Sequence, residues 1–398
     1  MQEFVVTRKE AGGRFDKYLK KLLPSASSGF LYKMLRKKNI TLNEKKAVGN
    51  EVIAAGDTVK LFFSEETYLK FSGKLQGQTV SGKLQEQMAS EKMPESESAN
   101  GYHAHAEQAD TGRMKTAASR SVKAFRLYRK AFRELDGVSV IYEDEDILIL
   151  NKPAGVLSQK AEKDDISLNE WMIGYLLKKK EITEEELVRF RPSVCNRLDR
   201  NTSGLLLCGK SVRGSQFLSE ILRDRSLHKY YLTYVQGKIE CPITLNGYLR
   251  KEEDRNRSEV ISEEDYQKRI SAKAGTEGHR YKSSAEVRPE KEYHKIETLM
   301  KPLSYYEKGD FTKLEILLVT GKSHQIRAHL SGIGHPILGD IKYGWKPKSK
   351  EEAKLKYQLL HAYRVEFPET KGEFGYLSGK AVTAPVPDLF GIFEESCS

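Results

Sequence analysis

The sequence predicts an α+β protein with a mixed, mainly antiparallel central sheet, preceded by a small α+β module. Three observations lead there. Strand-like apolar runs recur in the long C-terminal part without the regular βαβ alternation of a doubly wound sheet. The first 63 residues carry a core pattern of their own, with two short amphipathic helices and small strands. Between these parts the composition turns polar and repetitive. The length of 398 residues leaves room for two or three domains.

The elements follow in order. Phe15, Tyr18, Leu19 and Leu22 keep the i, i+3, i+4, i+7 spacing of a helix that Pro24 ends. A second helix over about Ser28 to Lys37 turns Phe30, Leu31, Met34 and Leu35 inward, and its other face carries Lys33, Arg36, Lys37 and Lys38. Ile40 and Leu42, a turn at Asn43, and Val59, Leu61 and Phe63 in alternation complete a compact binding module over 1–63. From Ser64 to Ser121, Gln, Ser, Glu, Lys and Gly dominate, and Ser-Gly-Lys-Leu-Gln occurs at Ser72 and again at Ser81. Such a segment buries too little apolar surface to fold, so 64–137 reads as a disordered insert closed by a basic linker helix. That helix sets Val122, Phe125, Tyr128, Phe132 and Leu135 against Lys123, Arg126, Arg129, Lys130 and Arg133. Residues 138–393 form the large domain, with strands at Val140–Tyr142, Ile147–Leu150, Leu205–Leu207, Tyr231–Val235 and Leu314–Val319. A polar patch over about 251–292 reads as an inserted loop.

Charge narrows the partners. The chain carries 67 Lys and Arg against 56 Asp and Glu, a net +11. The first 63 residues hold 13 basic against 6 acidic side chains, a net +7, which points to a polyanion such as nucleic acid. No stretch reaches the ~18 apolar residues of a membrane span, and Met1-Gln2-Glu3-Phe4 does not open a signal peptide. The four cysteines (Cys195, Cys208, Cys241, Cys397) lack Cys-x-x-Cys spacing, which disfavours disulfide scaffolds and zinc knuckles and favours a reducing cytoplasm.

Three windows carry chemistry. Asn196-Arg197-Leu198-Asp199-Arg200-Asn201-Thr202-Ser203-Gly204 runs into Leu205–Leu207, so an Asp between two Args sits in a turn before a buried strand, where strands deliver functional groups. Such a carboxylate can be nucleophile, base, metal ligand or structural counter-ion. Thr320-Gly321-Lys322-Ser323-His324-Gln325-Ile326-Arg327-Ala328-His329-Leu330 places His324 and Arg327 near one edge of a short helix, and Gly334-His335-Pro336-Ile337-Leu338-Gly339-Asp340 follows. His324, His329 and His335 match no zinc spacing, so no metal is expected. In Leu227–Val235, alternation puts Lys229, Tyr231 and Thr233 on one face.

Together the windows resemble the RluA family of pseudouridine synthases. Arg-Leu-Asp in its loop, Lys-x-Tyr about thirty residues on, and Gly-x-x-His-Gln-Ile-Arg-x-His-Leu before Gly-His-Pro-Ile-Leu-Gly-Asp carry the likeness. Asn151-Lys152-Pro153-Ala154-Gly155, Leu360-His361-Ala362 and Ala384-Pro385-Val386-Pro387 match the same layout. Residues 1–63 resemble an S4 RNA-binding domain, with Lys33, Arg36, Lys37 and Lys38 as its RNA face. The resemblance implies that Asp199 is the catalytic aspartate, that Arg327 pairs with it, and that Tyr231 lies against the target base as a candidate for proton transfer. It also implies Ile326 as a wall of the pocket, and Arg197, Arg200, Lys229 and His324 as substrate contacts. Asn196 stands where many members have His, Lys322-Ser323 replaces a frequent Arg-Thr, and the inserts near 64–121 and 251–292 are not family standard.

The implied reaction breaks the N1–C1′ bond of uridine, turns the uracil and joins C5 to C1′, with no redox change and hence no cofactor. The aspartate would attack C1′, as in retaining glycosidases, or abstract the C2′ proton, and the target base would leave its stack to reach the pocket. The implied partner is ribosomal RNA, 23S foremost, met by a cytoplasmic monomer with no membrane role. The competing readings are a non-catalytic RNA-binding or ribosome-assembly factor, a hydrolytic N-glycosidase using the same carboxylate, and a synthase acting on transfer RNA.

Overall fold

The computed structural model describes residues 1–72, 123–252, 257–276, 293–350 and 352–397. The chain divides into two compact units. The first comprises Met1–Lys130, Ile173–Arg191 and Ser211–Arg213, and the second the remainder.

In the first unit, β1 (Gln2–Val5), β2 (Ile40–Leu42), β3 (Lys45–Lys46) and β4 (Thr58–Leu61) form an antiparallel sheet in the order β1-β4-β2-β3. Helix α1 (Phe15–Leu22) buries all four predicted residues, Phe15, Tyr18, Leu19 and Leu22. Helix α2 (Ser28–Arg36) starts where the Ser27 hydroxyl accepts a 3.2 Å hydrogen bond from Phe30 N–H, an ordinary N-cap. It buries Leu31 and Leu35, half-buries Phe30 and Met34, and leaves Lys33, Arg36, Lys37 and Lys38 exposed. None of these four cations has a carboxylate partner among the described residues.

Helix formation does not stop at Phe63. A further helix, α3 (Glu65–Ser72), lies inside the segment read from sequence as a disordered insert. Its Tyr68 and Phe71 pack onto the first unit's core, with the Phe71 ring 4.3 Å from that of Phe30. Two aromatics three residues apart bury enough area to hold a turn of helix that the surrounding composition hides. Residues 73–122, with both Leu-Gln repeats' ends, lie outside the described residues. The basic helix is present over 123–134 and turns Tyr128 inward.

The second unit is built on one mixed sheet. Its path runs β11 (Arg257–Ile261), β10 (Ile243–Glu252), β12 (His294–Tyr306), β13 (Phe311–Leu318), β9 (His228–Gln236), β14 (Leu360–Glu366), β8 (Ser203–Gly209), β6 (Ile147–Lys152), β5 (Ser139–Glu143). Short strands β7 (Ser193–Val194) and β15 (Ala381–Thr383) pair with β8 and β14. Every pairing is antiparallel except β14 with β8. All five predicted strands are present. Ile147–Leu150 and Leu205–Leu207 are buried on both faces, which their unbroken apolar runs require. Among the described residues no helix is long and apolar enough to cross a membrane.

The reading of 251–292 as a loop needs correction. β10 extends to Glu252, β11 pairs with it, and a helix occupies Glu263–Thr276. Ser262 starts that helix: its hydroxyl accepts from Asp265 N–H at 3.1 Å and donates to the Asp265 carboxylate at 3.0 Å. Tyr266 anchors it by stacking on Tyr248, ring centroids 3.8 Å apart. High charge on the outer positions concealed these few inward residues. Residues 277–292 lie outside the described set.

The parallel join of β8 and β14 fixes where the Asp199 loop enters the sheet. Gly204 lies opposite Ala362, and Ala362 opposite Tyr231, so three strands align at this level. Gly204 has φ +111°, and a Cβ there would stand 2.2 Å from the Ala362 carbonyl oxygen. Gly204→Ala is therefore expected to destabilise the fold by roughly 3 kcal/mol or more. Urea unfolding measures it, and a loss under 1 kcal/mol would mean that the two strands separate easily.

Candidate active site

The Asp199 loop is tied down on every side. Asn196 accepts a 2.7 Å hydrogen bond from Leu207 N–H through its side-chain oxygen, which pins the loop to β8. Ser158 Oγ donates to Leu198 C=O at 2.9 Å and accepts from Leu198 N–H at 3.1 Å. Lys152, at the end of β6 and fully buried, donates to the carbonyls of Pro153 (3.0 Å), Val156 (2.7 Å) and Arg200 (2.8 Å). Gly155 N–H donates to Arg200 C=O, and Arg200 Nε returns a bond to Gly155 C=O at 3.2 Å. Burial pushes the Lys152 ammonium down to about 7, with Asp199 pulling it back up and Arg200 adding to the fall. Sequence reading passed over Lys152 as part of a matching motif. Its signal is a lysine two residues after the unbroken apolar run Ile147–Leu150.

The second wall is the helix Gln325–Gly332. Its first turn explains the motif residue by residue. Gln325 accepts from Thr320 Oγ1 (2.9 Å) and Lys322 N–H (3.1 Å) and donates to Glu297 C=O and Thr298 Oγ1, both 2.9 Å, which clamps the helix to β12. His329 lies 2.8 Å from Thr298 Oγ1 through Nδ1, and burial pushes it down to about 4. His335 lies against Gln236 C=O at 2.7 Å. The three histidines of this stretch thus go to three separate places.

His324 and Arg327 face Asp199. Arg327 Nη1 lies 3.5 Å from Asp199 Oδ2, and His324 Nε2 lies 3.9 Å from the same oxygen. Two other Arg327 donors are held by Asp340. Nε and Nη2 grip both oxygens of buried Asp340 at 2.7 and 2.8 Å, a bidentate pair. Burial opposes the Arg327 charge, but the Asp340 and Asp199 carboxylates together hold its pKa above the ordinary arginine value. His324 adopts φ +59° ahead of the helix, and its Nδ1 lies 3.0 Å from the Tyr343 hydroxyl. Burial lowers its pKa, opposed by Asp199 and reinforced by Arg327. Neither flanking arginine pairs with Asp199 among the described residues. Arg197 and Arg200 are exposed, so the carboxylate's cation comes from 128 residues away.

Tyr231 is buried on β9, and its phenol is raised by burial and then by the Asp199 charge. Ile326 is buried on the helix beside Arg327. Lys229, two residues before Tyr231, is half-buried, and burial lowers its pKa. Thr233 instead spends its hydroxyl on Leu359 C=O at 2.7 Å. Asp340 was visible in the sequence only as the end of a motif, because nothing local marks a carboxylate whose partner is thirteen residues back.

The comparisons with known proteins bear on this arrangement. Residues 146–332 match the family model of RNA pseudouridylate synthases, a span that contains Lys152, Asp199, Tyr231 and Arg327. An uncharacterised RNA pseudouridine synthase of Mycoplasma pneumoniae is 27% identical over 369 residues, 92% of this chain and 88% of that protein. Ribosomal large subunit pseudouridine synthase D of Borreliella burgdorferi is 27% identical over 259 residues, 64% of this chain and 67% of that protein. The solved structure of human RNA pseudouridylate synthase domain containing 4 aligns with TM-score 0.48 at 18% identity, over 68% of this chain and 95% of that one. The enzyme is an isomerase, an RNA pseudouridine synthase. The matched span and the relatives named ribosomal large subunit pseudouridine synthases support an RluA-type family.

Asp340→Asn tests the buried pair. Removing one charge leaves Arg327 poorly compensated, so stability is expected to fall by about 3–5 kcal/mol. Denaturant unfolding reads the loss, and a fall under 1 kcal/mol would show that Asp199 alone suffices to hold the guanidinium.

Proposed function

We propose that the enzyme isomerises specific uridines of 23S ribosomal RNA, with Asp199 as the carboxylate acting at the ribose. The observation that carries this reading is the Asp199 carboxylate itself. It is delivered by a loop anchored at Asn196, Ser158 and Lys152, and it faces Arg327 at 3.5 Å. Asp340 occupies two of the guanidinium's donors and leaves Nη1 for Asp199. A carboxylate so aimed is suited to stabilise positive charge on C1′, by bond formation or by taking the C2′ proton. Tyr231, whose proton is held on by burial and by Asp199, serves as a hydrogen-bond donor to the freed uracil and as the aromatic wall of its pocket. Ile326 contributes apolar surface, and Arg197, Arg200, Lys229 and His324 serve as contacts to the nucleotide.

The ribosomal substrate is supported by the named relative and by the basic front module. Residues 1–63 are read as an S4-like RNA-binding domain whose exposed face is Lys33, Arg36, Lys37 and Lys38. Those charges contact phosphates and supply affinity with little sequence information.

Tritium release from [5-³H]uridine-labelled 23S RNA tests the reaction, since forming the C5–C1′ bond expels the label. Asp199→Asn is expected to abolish release while RNA affinity stays within about threefold, because the carboxylate meets ribose and not phosphate. Release by that variant would remove Asp199 from its role, and release only from transfer RNA would move the substrate. Free uracil in place of pseudouridine would make the enzyme a hydrolase.

Replacing Lys33, Arg36, Lys37 and Lys38 by Ala is expected to weaken binding to 23S RNA. The slope of log affinity against log salt should flatten by about 3, from four lost cations at ~0.7–0.9 each. An unchanged slope in filter binding would place the RNA anchor elsewhere.

A further inference from the structure

We propose that Arg257, on the edge strand β11, binds a phosphodiester group next to the uridine that faces Asp199. The inference rests on the reading of Asp199 as the catalytic carboxylate, and it adds a subsite that the motif residues do not supply.

The backbone of β11 is fastened to the catalytic wall. Ser258 N–H donates to the Tyr343 hydroxyl at 2.8 Å, and Ser258 Oγ donates to Ser323 C=O at 2.9 Å. The same Tyr343 hydroxyl meets His324 Nδ1 at 3.0 Å, and His324 Nε2 faces Asp199. Strand and catalytic carboxylate are thus joined through Tyr343 and His324. Arg257 and Arg327 both lie over the Tyr343 ring, with guanidinium carbons 4.7 and 4.8 Å from its centroid.

The two arginines differ in one respect. Arg327 has two carboxylate partners, Asp340 and Asp199. Arg257 has no carboxylate within 4.0 Å among the described residues, although Glu252 lies opposite it in the strand register. By contrast Arg250, further along the same hairpin, pairs with Glu259 at 3.0 Å. Lys342 belongs to the same neighbourhood: burial lowers its pKa first, Arg327 and Arg257 add to the fall, and Asp340 and Asp199 oppose it. An unsatisfied guanidinium resting on an aromatic ring, half-exposed and pre-aimed, is a receptor for a planar or tetrahedral oxyanion. In an enzyme acting on RNA the oxyanion at hand is the sugar–phosphate backbone. The strand that carries Arg257 belongs to the 251–292 segment, so this segment has a role in substrate binding.

Binding of uridine 3′,5′-bisphosphate and of uridine to the full-length chain by calorimetry tests the subsite. Arg257→Gln is expected to weaken bisphosphate binding about tenfold, the effect of one charge-assisted hydrogen-bonded contact, and to leave uridine binding unchanged. Arg257→Lys is expected to recover most of the loss. Equal bisphosphate affinity in the wild type and Arg257→Gln overturns the proposal, and so does a wild type that binds bisphosphate no better than uridine. Parallel weakening of both ligands overturns it too, by showing that Arg257 acts through the packing of Tyr343. Asp199→Asn should bind the bisphosphate like the wild type. Turnover by that variant would remove the catalytic reading of Asp199 while these binding differences still judge Arg257.

Discussion

The site depends on the buried pair between Arg327 and Asp340. A guanidinium has five N–H donors in a rigid fork, and Asp340 takes two of them through both its oxygens. That grip fixes the plane of the fork and so the direction of Nη1, which points at Asp199. Desolvating Arg327 is costly, and one carboxylate at 3.5 Å would not orient it. With Asp340 buried beneath, Arg327 keeps its charge and a defined attitude, and Asp199 stays half-exposed. The motif that ends in Gly339-Asp340 therefore supports the motif that contains Arg327, and the helix between them is clamped independently by Gln325.

The Asp199 loop is held by a different device. Its backbone carbonyls converge on one buried ammonium, Lys152, whose three protons match three acceptors. A neutral amine could satisfy only two of them, so the hydrogen bonds and nearby Asp199 favour the charged form against the burial that lowers its pKa to about 7. Sheet register supplies the rest. Gly204, Ala362 and Tyr231 line up across three strands, and Tyr231 therefore lies at the level where the Asp199 loop enters β8.

Much of this was legible in the residues. The apolar spacing of Phe15, Tyr18, Leu19 and Leu22 gave the first helix to the residue, and the unbroken runs at Ile147 and Leu205 marked strands covered on both faces. Asp199, His324 and Arg327, named from ordered motifs far apart in sequence, do meet. What stayed hidden depended on partners distant in the chain. Arg200 looks like a counter-ion for Asp199 by adjacency, but it serves the Gly155 turn through Nε. The helices at Glu65 and Glu263 are each held by one or two aromatics on a charged background, so window composition outweighed the few positions that pack. Asn196 departs from the frequent histidine, and its amide holds the loop by a backbone contact to Leu207.

Charge balance joins these observations. In the proposed reading an RNA backbone comes close to the Asp199 carboxylate, and like charges brought together in a half-buried site repel. Arg327 offsets the carboxylate itself, and its charge is already shared between Asp199 and Asp340. Cations outside that pair are required to accept the phosphates, and they must lie near the ribose without taking Asp199 as their partner. Arg257 meets both conditions: the β11 strand and the Tyr343 ring hold it beside the site, and no carboxylate among the described residues pairs with it. On the proposed reading, separating the two tasks between Arg327 and Arg257 keeps one guanidinium fixed beside Asp199 while the other engages substrate.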